Sequence, residues 1–284
     1  REIMDKKGFP YNVTLWQSKN SSKINIEVAS IIGNKDGFIA IQSADPKVLE
    51  NAGRGNIKFD HLRNQIDYYK KNNLEVETDI LIGLPGESKK SHLNTLLTAF
   101  DLGFGKINPI NIRMLKGSKY DNNDYRRKYD LKTKYRPIFG AYDIYDGQKV
   151  FEIEESIRAT KDISEEELES FKILHWLIGF LWNAGIYKPL LRFGQYHGVN
   201  PGLVLYKLSS SKHPLLSDIY AEMKVESMAE WYDSPDDMVS FYNNDNNFYD
   251  MVNNFGKLYF IWIARVLKDF NILTVLSEEL LKIL

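Results

Sequence analysis

The chain has 284 residues, which is enough for one large domain or two of ordinary size, and its 43% hydrophobic content is typical of a globular protein. Lysine and arginine nearly balance aspartate and glutamate, and the formal net charge of -1 predicts no nucleic-acid partner and no anionic membrane surface. No apolar run is long enough to span a bilayer and no targeting pattern is present near residue 1, so we expect a cytoplasmic protein.

Cysteine is absent from the sequence. This excludes disulfides, thiolate nucleophiles and every metal or iron–sulfur centre that thiolates of this chain would hold. The histidines form no i, i+4 pair, so no metal site is predicted, and each is expected to be a surface or helix-packing residue. They are His61, His92, His175, His197 and His213.

The first half of the chain alternates between strand and helix patterns. We predict parallel strands joined by right-handed helical crossovers, arranged either as an open sheet or as part of a barrel. The carboxyl ends of the strands would then meet at one rim. The predicted strands are 11–16, 37–41, 76–82 and 106–115, and the rim segments are Gln17–Asn20, Gln42–Asp45, Gly83–Glu87 and Leu115–Gly117. The helices between them are 24–32, a short one that Asp45 caps, 59–69 and one beginning at Ser88.

The most informative segment is the strand that ends at Gly83-Leu84-Pro85-Gly86. Its β-branched and apolar residues predict a strand that is buried on both faces. A turn with two glycines, followed by a helix, leaves bare backbone at the carboxyl end of the sheet, where α/β proteins bind ligands. A flat ring can approach a main chain that has no Cβ. An ordinary βα turn is equally compatible with these residues.

The second half is predicted to be mostly helical, after a short hairpin. The hairpin joins 139–145 to 150–153 across Asp146-Gly147, and Ser164 with Glu167 forms a capping box before a long helix over 168–181. Its aromatic residues Trp176, Phe180 and Trp182 are predicted to form a packing core. Helices follow, with a loop at 243–247 and an amphipathic segment at 261–284. We place a domain boundary near residue 160, which divides the chain into 1–160 and 161–284.

Several spaced segments together resemble the later strands of radical S-adenosylmethionine enzymes, most of all those with an N-terminal cobalamin-binding domain. The resemblance covers roughly residues 1–170. The segments are Gln42-Ser43-Ala44-Asp45-Pro46-Lys47-Val48-Leu49, Gly53-Arg54 and Asp79-Ile-Leu-Ile-Gly-Leu-Pro-Gly-Glu87, followed by Gly140-Ala-Tyr-Asp-Ile-Tyr, Glu152, Glu154-Glu155, Thr160 and Ser164-Glu-Glu-Glu167.

The resemblance implies a fold and a role for each matching residue. The fold would be α/β: half of a partial six-stranded (β/α) barrel, with the four predicted strands as its third to sixth, followed by a helical region. Backbone at Ile82, Gly83, Leu84 and Gly86 would contact the adenine of S-adenosylmethionine, and Glu87 would brace that turn.

The other implied contacts are polar. Gln42 and Ser43 would bind the ribose or the amino-acid end, and Arg54 would pair with the methionyl carboxylate. Each residue also has a simpler interpretation: Gln42 and Ser43 as caps of the next helix, and Arg54 as a solvated loop charge. Asn111 and Arg113 would either project into a barrel or form salt bridges. Lys19 and Asn20 follow the predicted strand 11–16, so their position at a strand end makes them candidate site residues as well.

One departure from the family is severe. Radical chemistry requires a [4Fe-4S] cluster held by Cys-x-x-x-Cys-x-x-Cys, and this chain has no cysteine. We therefore expect the sequence to be the C-terminal portion of a longer protein whose upstream part holds the cluster and any cobalamin. The intact protein would cleave S-adenosylmethionine reductively. Cobalamin-dependent methyl transfer is one activity that this chemistry would allow. This chain alone would be inactive. Its partners would be the upstream part and a small-molecule or lipid-like substrate, and its open sheet edge would favour aggregation.

Two other hypotheses remain open at this point. One is a non-catalytic binding or scaffold protein on a degenerate barrel without a cluster. In-frame cysteines upstream would favour the enzyme, and a start at Met4 would favour the scaffold. The other is an unrelated phosphate-binding α/β enzyme, which would use the Gly83–Gly86 turn and the helix N-terminus after it. The chain lacks the Walker lysine and the GxGxxG spacing of such enzymes.

Overall fold

A computed structural model of the protein describes residues 1–11, 13, 22–33, 36–55, 58–253 and 258–284. The chain gathers into two units. The first comprises Arg1–Leu81, Lys90–Ile110 and Ile178–Leu203, and the second comprises Ile82–Lys89, Asn111–Leu177 and Val204–Leu284. The fold is α/β, and the described strands form two separate sheets and no closed barrel. The boundary near residue 160 remains a prediction.

A three-stranded parallel sheet forms the centre of the first unit, in the order β1-β2-β3. The strands are β1 (Asp36–Phe38), β2 (Glu75–Ile82) and β3 (Lys106–Asn111). Three of the four predicted strands are therefore present, although β1 and β3 are shorter than predicted. The predicted strand at 11–16 and the rim segment Gln17–Asn20, with Lys19, lie almost entirely outside the described residues.

The prediction that β2 is buried on both faces is wrong. Residues alternate along the strand: Val76 and Ile80 belong to the buried face, and Glu77 and Asp79 belong to a half-buried polar face. The polar face is tolerated because its carboxylates have partners. The Lys106 amine lies 2.6 Å from the Glu77 carboxylate.

Helices surround this sheet, and their termini follow local sequence signals. Asp45 accepts hydrogen bonds from the backbone N–H groups of Lys47 and Val48, and Pro46 follows it, which confirms the predicted cap. The helices of this unit are α1 (Glu2–Lys7), α2 (Lys23–Ile32), α3 (Pro46–Asn51), α4 (Phe59–Lys71), nearly all of α5 (Lys89–Leu102), the π-helical segment Ile178–Asn183 and later α9 (Lys188–Tyr196). Helix α10 (Pro201–Leu208) begins in this unit and ends in the second.

An antiparallel hairpin of β4 (Lys132–Tyr145) and β5 (Gln148–Ala159) belongs to the second unit. Asp146 and Gly147 both have positive φ values, 49° and 77°, as a type I′ turn requires. The predicted hairpin is confirmed, but both strands are longer than predicted. The helices of this unit are α6 (Asn123–Tyr129), α7 (Glu165–Glu169), α8 (Lys172–Leu177), α11 (Pro214–Ala229), α12 (Pro235–Asn243), α13 (Asp245–Asn253), α14 (Leu258–Lys268) and α15 (Phe270–Ile283), with a 3₁₀ turn at Lys119–Asp121.

The capping box of Ser164 and Glu167 is confirmed, but the long helix predicted after it is interrupted. Helix α7 ends at Glu169 and α8 begins at Lys172. The predicted loop at 243–247 shrinks to Asn244, whose side chain accepts hydrogen bonds from the N–H groups that begin α13. The terminal segment is divided at Asp269, which caps α15. Trp176, Phe180 and Trp182 are each buried, as predicted.

The side chain of Asn183 pairs with β3 in the way that another strand would. Its Oδ1 accepts a hydrogen bond from the Ile107 N–H at 3.0 Å, and its Nδ2 donates to the Ile107 carbonyl at 2.7 Å. Both backbone groups of a buried residue are thus satisfied by one amide. This contact protects part of an edge that the sequence predicts to be open.

Replacement of Asn183 by alanine should lower the free energy of unfolding by about 1–3 kcal/mol, because the N–H and carbonyl of Ile107 lose their partners. Urea denaturation measures this loss. Asn246→Ala is the matched control, because Asn246 is exposed, and it should change stability by less than about 0.5 kcal/mol. Equal stability of the two variants would contradict the assigned role of Asn183.

Candidate functional site

The candidate residues of the first unit lie where β1 continues past its last regular pair. Phe38 is opposite Glu77, whereas Gln42 is opposite Ile80, so the β1 side contains one residue more than β2. This extra residue is a β-bulge. Gln42 has a φ of 65°, a left-handed conformation that is uncommon for residues other than glycine. Such strained positions cluster at functional sites.

The backbone of Gln42 is held on both sides by β2. Its N–H donates to the Asp79 carbonyl at 2.9 Å, and its carbonyl accepts from the Leu81 N–H at 2.9 Å. The side chain is half-buried and forms no hydrogen bond with the part of the chain that the structure describes. The bulge therefore fixes the main chain and leaves the side-chain amide available.

Ser43 has a different environment. Its side chain is fully buried, and its hydroxyl accepts a hydrogen bond from the Asp45 N–H at 3.2 Å and lies 3.5 Å from the Thr95 hydroxyl. Asp45, rather than Gln42 or Ser43, caps α3. Ser43 thus supports the capping residue, and its predicted contact with a ribose remains a prediction.

Arg54 follows α3 and is fixed only through its main chain. Its N–H donates to the Leu49 carbonyl at 2.8 Å, and Gly53 before it has a φ of 71°. The guanidinium is exposed and forms no ion pair with any residue among those described. A planar cation of this kind can still bind a carboxylate in bidentate fashion.

The glycine turn, in the second unit, is organised by a buried carboxylate. Glu87 is 0% exposed. Its carboxylate accepts hydrogen bonds from the N–H groups of Gly83 at 2.8 Å and of Leu84 at 3.4 Å. Hydrogen bonds from backbone N–H groups to a carboxylate are among the stronger ones in proteins. The prediction that Glu87 braces this turn is confirmed.

The turn is packed against the hairpin. A Cβ placed on Gly83 would lie 3.3 Å from Ile157 Cγ2, and Gly83 has a φ of 93°. Ile82, Ile112 and Ile157 are joined in series, because the Ile112 N–H donates to the Ile82 carbonyl and the Ile157 N–H donates to the Ile112 carbonyl. Glycine at 83 is therefore explained by packing and backbone conformation. The side of Gly83 that a Cβ would occupy faces Ile157, so it is not open to a ring.

The remaining predicted turn residues differ in exposure. Leu84 is 1% exposed, whereas Gly86 is half-buried and has a φ of 86°. Contacts of these residues with an adenine remain predictions. Arg113 forms a salt bridge with the buried Glu154 at 2.7 Å, which confirms the salt-bridge alternative for this residue.

Sequence reasoning missed one titratable group of the first unit. Burial raises the pKa of the Asp79 carboxyl, and the charge of Glu77 raises it further, while the hydrogen bond from Asn108 at 3.3 Å opposes both effects. The alternating acids of β2 were the available signal. The Asp79 carboxyl, with its raised pKa, lies on the same strand that holds Gln42.

Among the described residues, no group of three or more histidine, aspartate or glutamate side chains is arranged to hold a metal ion. None of the described helices combines the length and the apolar character that a bilayer crossing requires.

Comparison with known proteins gives little. No family model matches the sequence, and no curated protein matches it. Two solved structures of the radical S-adenosylmethionine methyltransferase TsrM from Kitasatospora setae are similar to it, one with tryptophan substrate and the analogue aza-SAM bound, the other with cobalamin and a [4Fe-4S] cluster. Each has 12% identity and a TM-score of 0.33 over 40% of this chain. The match spans 24% and 23% of the TsrM chains. This likeness assigns neither a family nor an activity to the chain.

Replacement of Gly83 by alanine should destabilise the protein more than replacement of Gly140. Both glycines have positive φ values, so each alanine costs about 1–2 kcal/mol of backbone strain. Only Gly83 also faces Ile157, since nothing lies within 4 Å of a Cβ at Gly140. Urea denaturation of both variants isolates the packing contribution. Equal losses would show that Ile157 does not pack against this turn.

Proposed function

We propose that this chain is the C-terminal part of a radical S-adenosylmethionine protein and contributes ligand contacts to its S-adenosylmethionine site. The observation that carries the proposal is the left-handed bulge at Gln42, at the carboxyl end of a parallel strand. Strain at such a position requires compensation from the surrounding structure, and ligand binding is a common reason for it. The spaced sequence segments that include Gln42 and Gly83-Leu84-Pro85-Gly86 support the same family.

The proposed contacts in the first unit are polar. The side-chain amide of Gln42 hydrogen-bonds the ribose or the amino-acid end of the ligand, and Arg54 pairs with the carboxylate. The Ser43 side chain is fully buried, so a ribose contact from it would require the segment to open. Its position between Asp45 and Thr95 also supports the segment that follows Gln42.

In the second unit, the proposed contacts come from backbone. The adenine contacts are proposed for the backbone of Ile82, Gly83, Leu84 and Gly86, of which Gly86 is half-buried and the others are buried, and Glu87 keeps the turn in place. The residues present do not fit the cluster itself, because no thiolate exists in the chain. The [4Fe-4S] cluster and any cobalamin would be held by residues outside these 284, and reductive cleavage is not attributed to this chain.

A second function, a binding or scaffold protein without a cluster, is favoured by one observation. Ile157 occupies the side of Gly83 that was predicted to be open to a flat ring. In that protein the glycine turn serves packing alone, and S-adenosylmethionine does not bind. An upstream reading frame encoding Cys-x-x-x-Cys-x-x-Cys would support the enzyme instead.

Saturation-transfer NMR with S-adenosylmethionine distinguishes the two, because it detects weak binding to an incomplete site. We expect transfer to the adenine and ribose protons in the wild type and a clear reduction in Gln42→Gly and in Arg54→Gln. Gln42→Gly should fold at least as well as the wild type, because glycine accepts a positive φ without strain. Loss of binding would then report the missing side chain.

Asn73→Gly is the matched control, because Asn73 also has a left-handed backbone, with a φ of 57°. It should leave the transfer unchanged. Absence of transfer in the wild type, or equal transfer in all the variants, would overturn the proposal in favour of the scaffold.

A further inference from the structure

The second unit contains three hydrogen-bond donors, on Arg158, Trp231 and Lys172, that have no acceptor among the described residues. Arg158 Nη1 and Trp231 Nε1 are buried without a hydrogen-bond partner. The Lys172 amine forms no hydrogen bond or ion pair with the residues that the structure describes; its recorded contact is with a ring. Buried donors are nearly always satisfied, so a group of three calls for an acceptor that the protein itself does not supply.

Two of these donors belong to one stacked arrangement. The Arg158 side chain is 1% exposed, and its Cζ lies 4.4 Å from the centre of the Trp231 ring. Arg158 Nε donates to Glu165 at 3.3 Å and Nη2 donates to Glu169. Nη1 is the nitrogen of this guanidinium that has no acceptor among the described residues. The Arg136 guanidinium lies 4.5 Å from the same Trp231 ring. Trp231 is therefore held beside two cations while its own N–H remains unused.

The third donor lies within the same field of charges. The Lys172 amine is 5.0 Å from the centre of the Tyr259 ring. Burial lowers the pKa of Lys172; the charges of Glu230 and Glu169 oppose that effect, and those of Arg136 and Arg158 add to it. A partly buried ammonium that forms no ion pair with the described residues is costly. Lys172 is half-buried, so part of the residue reaches solvent.

The carboxylates of the cluster are already engaged elsewhere. Glu154 is shared between Arg113 and Arg136, Glu165 is shared between Arg158 and Lys134, and Glu169 also accepts from the Ser227 hydroxyl. Their acceptor capacity is therefore directed at other donors. Oxygen atoms from outside the protein would satisfy the leftover N–H groups and also the charge of Lys172.

We infer that Arg158, Lys172 and Trp231 form a binding site for a small oxyanion, a carboxylate or a phosphate. The guanidinium and the ammonium supply charge, and the indole N–H supplies a directional donor. The inference is independent of the proposed function, because none of its residues is a proposed S-adenosylmethionine contact.

Thermal unfolding in sodium phosphate, in sodium acetate and in sodium chloride at matched ionic strength tests the site. A ligand that binds only the folded protein should raise Tm with saturation, by about 2–4 °C for a moderately occupied site. A rise that saturates in phosphate alone identifies a tetrahedral anion, and one that saturates in acetate identifies a carboxylate. Both results support the inference. A rise that stays linear in salt concentration is the general effect of an excluded salt and would overturn the inference. Equal Tm values in the three salts would overturn it and leave water as the acceptor.

Two variants locate the effect. Lys172→Met removes the ammonium while keeping an apolar stem, and Trp231→Phe removes the N–H while keeping a ring beside the guanidinium groups. Both should lose the anion-dependent rise. Lys161→Met is the matched control, because the Lys161 amine lies 5.1 Å from the Tyr129 ring but the residue is exposed, and it should keep the full rise. An undiminished rise in both site variants would overturn the inference, and Trp231→Phe decides it if Lys172→Met does not fold.

Discussion

The hydrogen bonds from Gly83 and Leu84 to the buried Glu87 carboxylate hold the glycine turn of the second unit. A carboxylate with no exposed surface is stable only when donors surround it, so the turn and the side chain require each other. The turn in turn fixes Ile82, whose carbonyl begins the series of hydrogen bonds that reaches Ile157. A short acidic signal at the end of a glycine turn thus determines how the hairpin packs.

In the first unit the equivalent constraint is the register of β1 against β2. One additional residue on the β1 side places Gln42 in a left-handed conformation, and β2 holds it there through both of its backbone groups. Both backbone polar groups of Gln42 are hydrogen-bonded, whereas its side chain forms no hydrogen bond with the described residues. This division of roles is expected where a protein presents a polar group to a ligand, since the scaffold must absorb the strain of the position.

Features that depend on local sequence could be predicted, and those that depend on distant contacts could not. The Asp45 cap, the Asp146-Gly147 turn and the Ser164 capping box each have a signature within a few residues. The half-buried polar face of β2 could not be predicted, because it depends on Lys106, a residue distant in sequence that pairs with Glu77. The contact between Gly83 and Ile157, and the bulge at Gln42, arise from strand pairing that no local pattern specifies. The buried donors around Trp231 that lack a partner among the described residues could not be predicted, because no local sequence pattern indicates them.

Under the proposed function, residues at the carboxyl ends of the parallel strands bind S-adenosylmethionine. Hydrogen–deuterium exchange with mass spectrometry, with and without saturating ligand, tests it most directly because it reports on each segment separately. The account predicts slower exchange in peptides covering 40–55 and 82–88, and unchanged exchange in the hairpin tip at 138–150. Unchanged exchange in both rim segments, or protection confined to the hairpin, would contradict it.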